Sequence, residues 1–283
     1  MSLGAALAAG VERLRSAGSP TPRLDAEVLL AHVAGRDRSW VLAHPEATFD
    51  SEAFDALIQR RARGEPIAYL RGFKEWHSLR ILTDARALIP RPETELLADA
   101  AIAEIEDRLR GRVSAWEVAT GSGAVAVAMA LRFGSELESG ALTLIASDIS
   151  IEALDLATEN LAAHGVRERV TLRQADLIPE AAPRLDVIVA NLPYVSSEEV
   201  DARQGSLGFE PRVAVDGGPD GLSLLRRLMS DLPARAAPGA TVLLEIGSDQ
   251  QKAVESLAPA GASVSVVPDL AGLDRVIRLR MPD

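Results

Sequence analysis

Asp186-Val187-Ile188-Val189-Ala190-Asn191-Leu192-Pro193-Tyr194 runs an apolar stretch into an abrupt stop. Val187 to Ala190 are β-favouring or small and predict a buried strand. Pro193 has no N–H to give a sheet, so the strand ends before it. Proline also biases Leu192 toward extended backbone, which turns the Leu192 carbonyl outward. One strand end therefore gathers a side-chain amide, a free carbonyl and an aromatic ring. In open α/β sheets ligands bind beyond the carboxyl ends of strands, so the place suits chemistry. Alone, these residues also read as a strand-terminating turn, because Asn and Pro are common turn formers.

Working outward, strands and helices alternate from Ala115 onward. Strand-like segments fall at Ala115–Val118, Leu142–Ala146, Val170–Arg173, Asp186–Ala190, Thr241–Glu245, Ser263–Val267 and Arg275–Leu279. Helical periodicity occupies Ala124–Phe133, Ile151–His164, Leu222–Leu232 and Asp249–Leu257. That alternation predicts an α/β fold with a doubly wound parallel sheet. The long segment Ser196–Gly221, with Gly205, Gly208, Gly217 and Gly218, reads as a functional loop.

Residues 1–71 differ: they are Ala- and Leu-rich and helical in period throughout, with Ser19-Pro20-Thr21-Pro22 breaking the first helix from the second and Ser51 expected to cap a fourth. Residues 72–90 carry two short strand-like runs, expected to form a hairpin linker, and residues 91–283 form the α/β domain. At Leu88-Ile89-Pro90-Arg91-Pro92-Glu93-Thr94-Glu95 the spacing alone predicts a helix start, with Pro92 in the first turn and both glutamates at the positive end of the dipole.

Composition narrows the chemistry. The 283 residues contain no cysteine, which removes disulfides, thiolate nucleophiles and cysteine-based zinc sites. The four histidines, His32, His44, His77 and His164, have no metal-ligand spacing. No apolar run approaches the roughly 20 residues of a membrane helix, so a cytoplasmic protein is expected. A net charge of −11 argues against broad phosphate binding. Arg60, Arg61 and Arg63 are the one local basic candidate, expected to be a solvated helix end.

Glu117-Val118-Ala119-Thr120-Gly121-Ser122-Gly123 leaves the first strand and opens a helix. Glycines let backbone approach a ligand, and the helix start supplies free N–H groups. Asp148 ends the second strand, placed to accept hydrogen bonds from ribose hydroxyls, and Asp176 ends the third. Either acid could instead be a helix cap, but the three strand ends together favour a ligand pocket. The third glycine of a dinucleotide fingerprint is absent, as Ala124, Val125 and Ala126 follow Gly123. That suits a ligand without a pyrophosphate, such as S-adenosylmethionine.

With the glycine turn and Asn-Leu-Pro-Tyr both in view, the chain resembles the HemK/PrmC family of protein-glutamine N5-methyltransferases, which modify bacterial peptide chain release factors. Further stretches carry the resemblance over nearly the whole chain: Arg23–Leu30, Arg63–Leu70, Leu88–Glu95 and Phe209-Glu210-Pro211-Arg212. Ile-Pro-Arg-Pro-Glu-Thr-Glu is the most specific and displaces the plain helix-start reading. The sequence departs from the family in two motifs: Leu192 stands where Asn-Pro-Pro-Tyr has its first proline, and the turn usually written Asp-Leu-Gly-Thr-Gly reads Glu117-Val118-Ala119-Thr120-Gly121. Leucine keeps the backbone carbonyl used there, whereas Ala119 puts a methyl against the cofactor.

The resemblance implies a Rossmann-like, seven-stranded S-adenosylmethionine-dependent methyltransferase domain preceded by a helical substrate-docking domain. It implies methyl transfer from S-adenosyl-L-methionine, leaving S-adenosyl-L-homocysteine, to the glutamine of a Gly-Gly-Gln motif in class 1 release factors. Asn191, Leu192, Pro193 and Tyr194 would be catalytic, with Tyr194 walling the pocket. Ala119, Thr120, Gly121, Ser122, Gly123, Asp148, Leu177 and Asn191 would hold the cofactor. A monomer that binds neither membrane nor nucleic acid directly is expected. A ribosomal-protein glutamine methyltransferase and an adenine N6-methyltransferase remain as alternatives, the second because Asn-Leu-Pro-Tyr also occurs in ribosomal RNA adenine dimethyltransferases.

Overall fold

The computed structural model describes residues 1–202 and 208–283; Gly205 of the long loop lies outside the described residues. The described residues divide into two compact units, one built on Met1–Phe73 and the other on Lys74–Ala202 with Glu210–Asp283.

Among the described residues, the first unit holds five α-helices: α1 (Leu3–Ser16), α2 (Pro22–Ala34), α3 (Arg38–Ala43), α4 (Glu52–Ala62) and α5 (Ile67–Arg71). Leu14, Leu29, Leu30, Phe54 and Ile58 form its core. Asp37 caps α3 by accepting from the Trp40 N–H. Ser51 precedes α4 without a capping bond; the Asp50 side chain takes the Glu52 N–H instead. The arginine cluster is a helix end, solvated at Arg60 and Arg63 but not at Arg61. Arg61 is nearly buried against Asp25 at 2.8 Å, and Arg60 pairs with Glu65.

A hairpin of β1 (Phe73–Trp76) and β2 (Leu79–Leu82) follows. His77 and Ser78 turn it with φ of 50° and 59°, both left-handed, as a two-residue hairpin whose twist matches its strands requires. Then come α6 (Thr94–Arg108), β3 (Val113–Val118), α7 (Ala124–Arg132), α8 (Gly134–Ser139), β4 (Leu142–Asp148), α9 (Ile151–Ala163), β5 (Thr171–Gln174) and β6 (Leu185–Ala190). The chain ends with α10 (Ser197–Asp201), α11 (Ser223–Arg235), β7 (Ala236–Glu245), α12 (Gln251–Ser256), β8 (Ser263–Pro268) and β9 (Asp274–Arg280). The helix expected from Pro92 starts two residues later, since Arg91 and Pro92 spend their carbonyls on a tight turn to Thr94 and Glu95.

The seven strands order as β5-β4-β3-β6-β7-β9-β8. Strands β5 to β7 are mutually parallel, as the alternation predicts. The parallel pattern is broken at β9, which runs antiparallel between β7 and β8. The reason is local: β8 and β9 are joined by a short turn in which Asp269 Oδ1 accepts from the Ala271 and Leu273 N–H groups. A tight turn makes a hairpin, whereas a parallel return needs a crossover. Strand order reverses between β3 and β6, and that switch point opens the cleft where ligands bind in such sheets.

Candidate active site

A cavity of about 720 Å³ lies beyond the carboxyl ends of β3, β4 and β6, at the switch point. Of the residues singled out in the sequence, Ala119, Thr120, Gly121, Ser122, Asp148, Asp176, Leu177, Asn191, Leu192 and Pro193 line it. Gly123 and Tyr194 do not.

The glycine turn owes its shape to alternating left-handed residues: Ala119, Gly121 and Gly123 have φ of 56°, 56° and 78°. An L-alanine held there is strained, because its Cβ crowds the following carbonyl. Gly123 is needed for packing, since a Cβ would sit 2.9 Å from that of Ala157 on α9. Asp148 braces the turn: its Oδ2 accepts from the Gly121 N–H at 2.9 Å and its Oδ1 from the Ser150 N–H at 3.0 Å. Its pKa is raised by burial, with those backbone bonds opposing. Buried Asn160 ties the hairpin to the turn, accepting from the Leu82 N–H and donating to the Leu82 and Ser122 carbonyls. Asp176 is engaged by Arg227 at 2.8 Å.

Beside the turn, at the end of β6, the Asn191 Nδ2 donates to Thr94 Oγ1 at 3.2 Å. Leu192 is buried, and among the described residues none donates to its carbonyl. The glycine-rich loop packs tightly on this corner. A Cβ on Gly217 would lie 2.6 Å from the Pro193 carbonyl oxygen, and one on Gly221 would lie 2.3 Å from that of Tyr194. Tyr194 is not among the residues that line the cavity. Gln250 Nε2 donates to its carbonyl at 3.0 Å, and burial, then the Glu245 charge, raise the pKa of its phenol.

Two buried carboxyls escaped the sequence reading. Glu117, in β3, is pushed up to about 8 by burial, opposed by the nearby Thr120 hydroxyl and reinforced by the Asp148 charge. Its Oε2 and the Thr120 hydroxyl are buried without a hydrogen-bond partner among the described residues, and both residues line the cavity. Glu245, at the end of β7, is pushed up to about 7, again by burial. The available signal was an acid interrupting an apolar strand, in Trp116-Glu117-Val118 and Leu244-Glu245-Ile246, since buried acids are rare without a partner.

These features fit a sulfonium nucleoside with an amino-acid tail. The orphaned Glu117 oxygen and Thr120 hydroxyl match an ammonium group, Asp148 offers acceptors for ribose hydroxyls, and Leu177 gives an apolar contact. Among the described residues there is no cluster of side chains able to hold a metal, and no helix long and apolar enough to cross a membrane.

Two family models match the chain: the PrmC N-terminal domain over residues 5–72 and the methyltransferase small domain over residues 96–206. The release factor glutamine methyltransferase of Xylella fastidiosa is 38% identical over 284 residues, covering 98% of each chain. That of Neisseria gonorrhoeae is 40% identical over 264 residues, covering 91% of this chain and 93% of its own. A methyltransferase of known structure from Pyrococcus furiosus superposes with a TM-score of 0.51 at 19% identity, over 78% of this chain and 97% of that one, and so shares the fold. The chain belongs to the release factor glutamine methyltransferase family.

Proposed function

We propose that this protein transfers a methyl group from S-adenosylmethionine to the side-chain nitrogen of the Gly-Gly-Gln glutamine in bacterial class 1 release factors. One observation carries the reading: two hydrogen-bond acceptors, the Asn191 side chain and the Leu192 carbonyl, border the same cavity as the Glu117 and Asp148 acids.

A primary amide nitrogen is a poor nucleophile because its lone pair is delocalised into the carbonyl. It carries two hydrogens, and Asn191 Oδ1 with the Leu192 carbonyl supplies two acceptors for them. Holding both hydrogens fixes the rotation of the amide and aims the nitrogen at the bound donor. The same two dipoles stabilise positive charge as it develops on nitrogen. Bound against Glu117, Thr120, Asp148 and Leu177, the cofactor supplies an electrophilic methyl. No base is needed for the transfer itself, because the methylated nitrogen becomes acidic and loses its proton afterwards. The helical unit, matched by the PrmC N-terminal model, is assigned to docking the release factor.

Incubating the protein with labelled S-adenosylmethionine and a release factor, beside a copy whose Gly-Gly-Gln glutamine is alanine, tests this. Label on the intact factor alone is the expected result. Label on both copies, or on neither while the cofactor binds, would sink it.

A further inference from the structure

The acceptors invoked above work only if Asn191 presents oxygen, not nitrogen, to the substrate. An asparagine amide is nearly symmetric in shape, so something must choose between its two orientations. A flipped Asn191 would set its own N–H groups against those of the substrate.

The surroundings choose. Asn191 follows the last residue of β6, and Ala190 is the register partner of Leu244 in β7, so Asn191 and Glu245 leave adjacent strands side by side. Asn191 Nδ2 points to Thr94 Oγ1 at 3.2 Å. A hydroxyl both donates and accepts, so Thr94 alone would tolerate either orientation. Glu245 breaks the tie. It is 2% exposed, its Oε2 is buried without a partner among the described residues, and the side chains of Thr94 and Asn191 face it as donors. A carboxylate only accepts. It draws the Thr94 hydroxyl hydrogen toward itself, leaving the hydroxyl oxygen to accept from Asn191.

We propose that ionised Glu245, acting with Thr94, is a positioning residue that holds the Asn191 amide with Nδ2 turned inward and Oδ1 turned to the substrate. The inference rests on the glutamine-methyltransferase reading for what Oδ1 does, but the wiring itself needs no substrate. Protonation reverses it: a neutral Glu245 donates to Thr94, whose hydroxyl hydrogen then turns to Asn191 and favours the flipped amide. Burial places that protonation near neutrality, at about 7. Glu93 before α6, Tyr194 after β6 and Arg275 on β9 are the other titratable or charged groups facing this carboxyl. Of these, Glu93 and Tyr194 raise the proton affinity of Glu245 or share its burial, and Arg275 lowers it.

Two measurements test the wiring. The first follows the Asn191 side-chain N–H resonances, identified by their loss in Asn191→Asp, in the protein without substrate as pH is raised. An inflection near 7 is expected in the parent, one at lower pH in Glu93→Gln, which loses a charge that raises Glu245, and none in Glu245→Gln. The second follows release-factor methylation. Turnover in the parent should rise with pH through the same inflection. Thr94→Val and Glu245→Gln should lose that acidic limb and about 10²-fold in kcat, the scale of a misaligned reacting group, with cofactor affinity unchanged; Thr94→Ser should restore both. An unchanged limb and kcat in Glu245→Gln would overturn the proposal, as would an Asn191 resonance indifferent to pH. A normal inflection in a protein that methylates no release factor would uphold the wiring and sink the substrate reading.

Discussion

Arg91 and Glu210, 119 positions apart in sequence, form an ion pair at 2.5 Å beside the cavity. The Glu210 side chain is 1% exposed and also accepts from the Ile89 N–H at 3.2 Å, while Arg91 keeps 30% of its side chain in solvent. The pair clamps the Pro-Arg-Pro segment before α6 onto the glycine-rich loop. Because the two partners differ in burial, their removal should differ too. Arg91→Met strands a buried carboxylate and should cost roughly 3 kcal/mol. Glu210→Gln keeps the Ile89 bond and leaves an arginine able to reach water, so about 1–2 kcal/mol is expected. Urea denaturation of both variants decides, and equal losses would contradict the asymmetry.

Asn191→Ala removes one of the two acceptors assigned to the substrate amide. A loss of roughly 10²- to 10³-fold in kcat is expected, the scale of deleting one preorganised hydrogen-bonding group. Cofactor affinity should stay near that of the parent. Calorimetry with the cofactor alone separates the cases, since lost cofactor binding would mean that Asn191 holds the turn together.

Ala119 is held at φ 56°, where the family usually has glycine. Ala119→Gly relieves left-handed strain but adds freedom to the unfolded chain, so a net gain of roughly 0.5–1 kcal/mol is expected. A β-branched side chain is worse placed there than alanine, so Ala119→Val should destabilise. Thermal melts of the three proteins should rank glycine above alanine above valine.

Glu117 gives a pH signature of definite sign. Burial raises its pKa to about 8 from 4.5, so the folded protein holds a proton that the unfolded chain releases earlier. Its contribution to stability is full below about 4.5 and is lost as pH rises through about 8. Glu117→Gln should flatten that loss relative to the parent, while Glu245, which titrates in the same window, remains in both. An ammonium docked on Glu117 favours the carboxylate, so cofactor binding near pH 7 should release a proton. Calorimetry in two buffers of different ionisation enthalpy measures it, and identical heats would remove Glu117 from the cofactor site.

Much of this was written locally. Val187–Ala190 is an apolar β-forming run and Pro193 cannot extend it, so the strand and its end at Asn191 follow from neighbouring residues. The turn after β3 follows likewise, because Gly121 and Gly123 take up left-handed backbone without strain. The alternation of strand and helix periods then determined the α/β class. What only the tertiary structure decided involves partners far apart in the chain. The carboxylate that meets Arg91 depends on a loop more than a hundred residues later. Glu117 and Glu245 became buried acids only when flanking strands and helices excluded water from them. Short-range pattern records what a residue does to its own backbone; burial and pairing are properties of the assembled sheet.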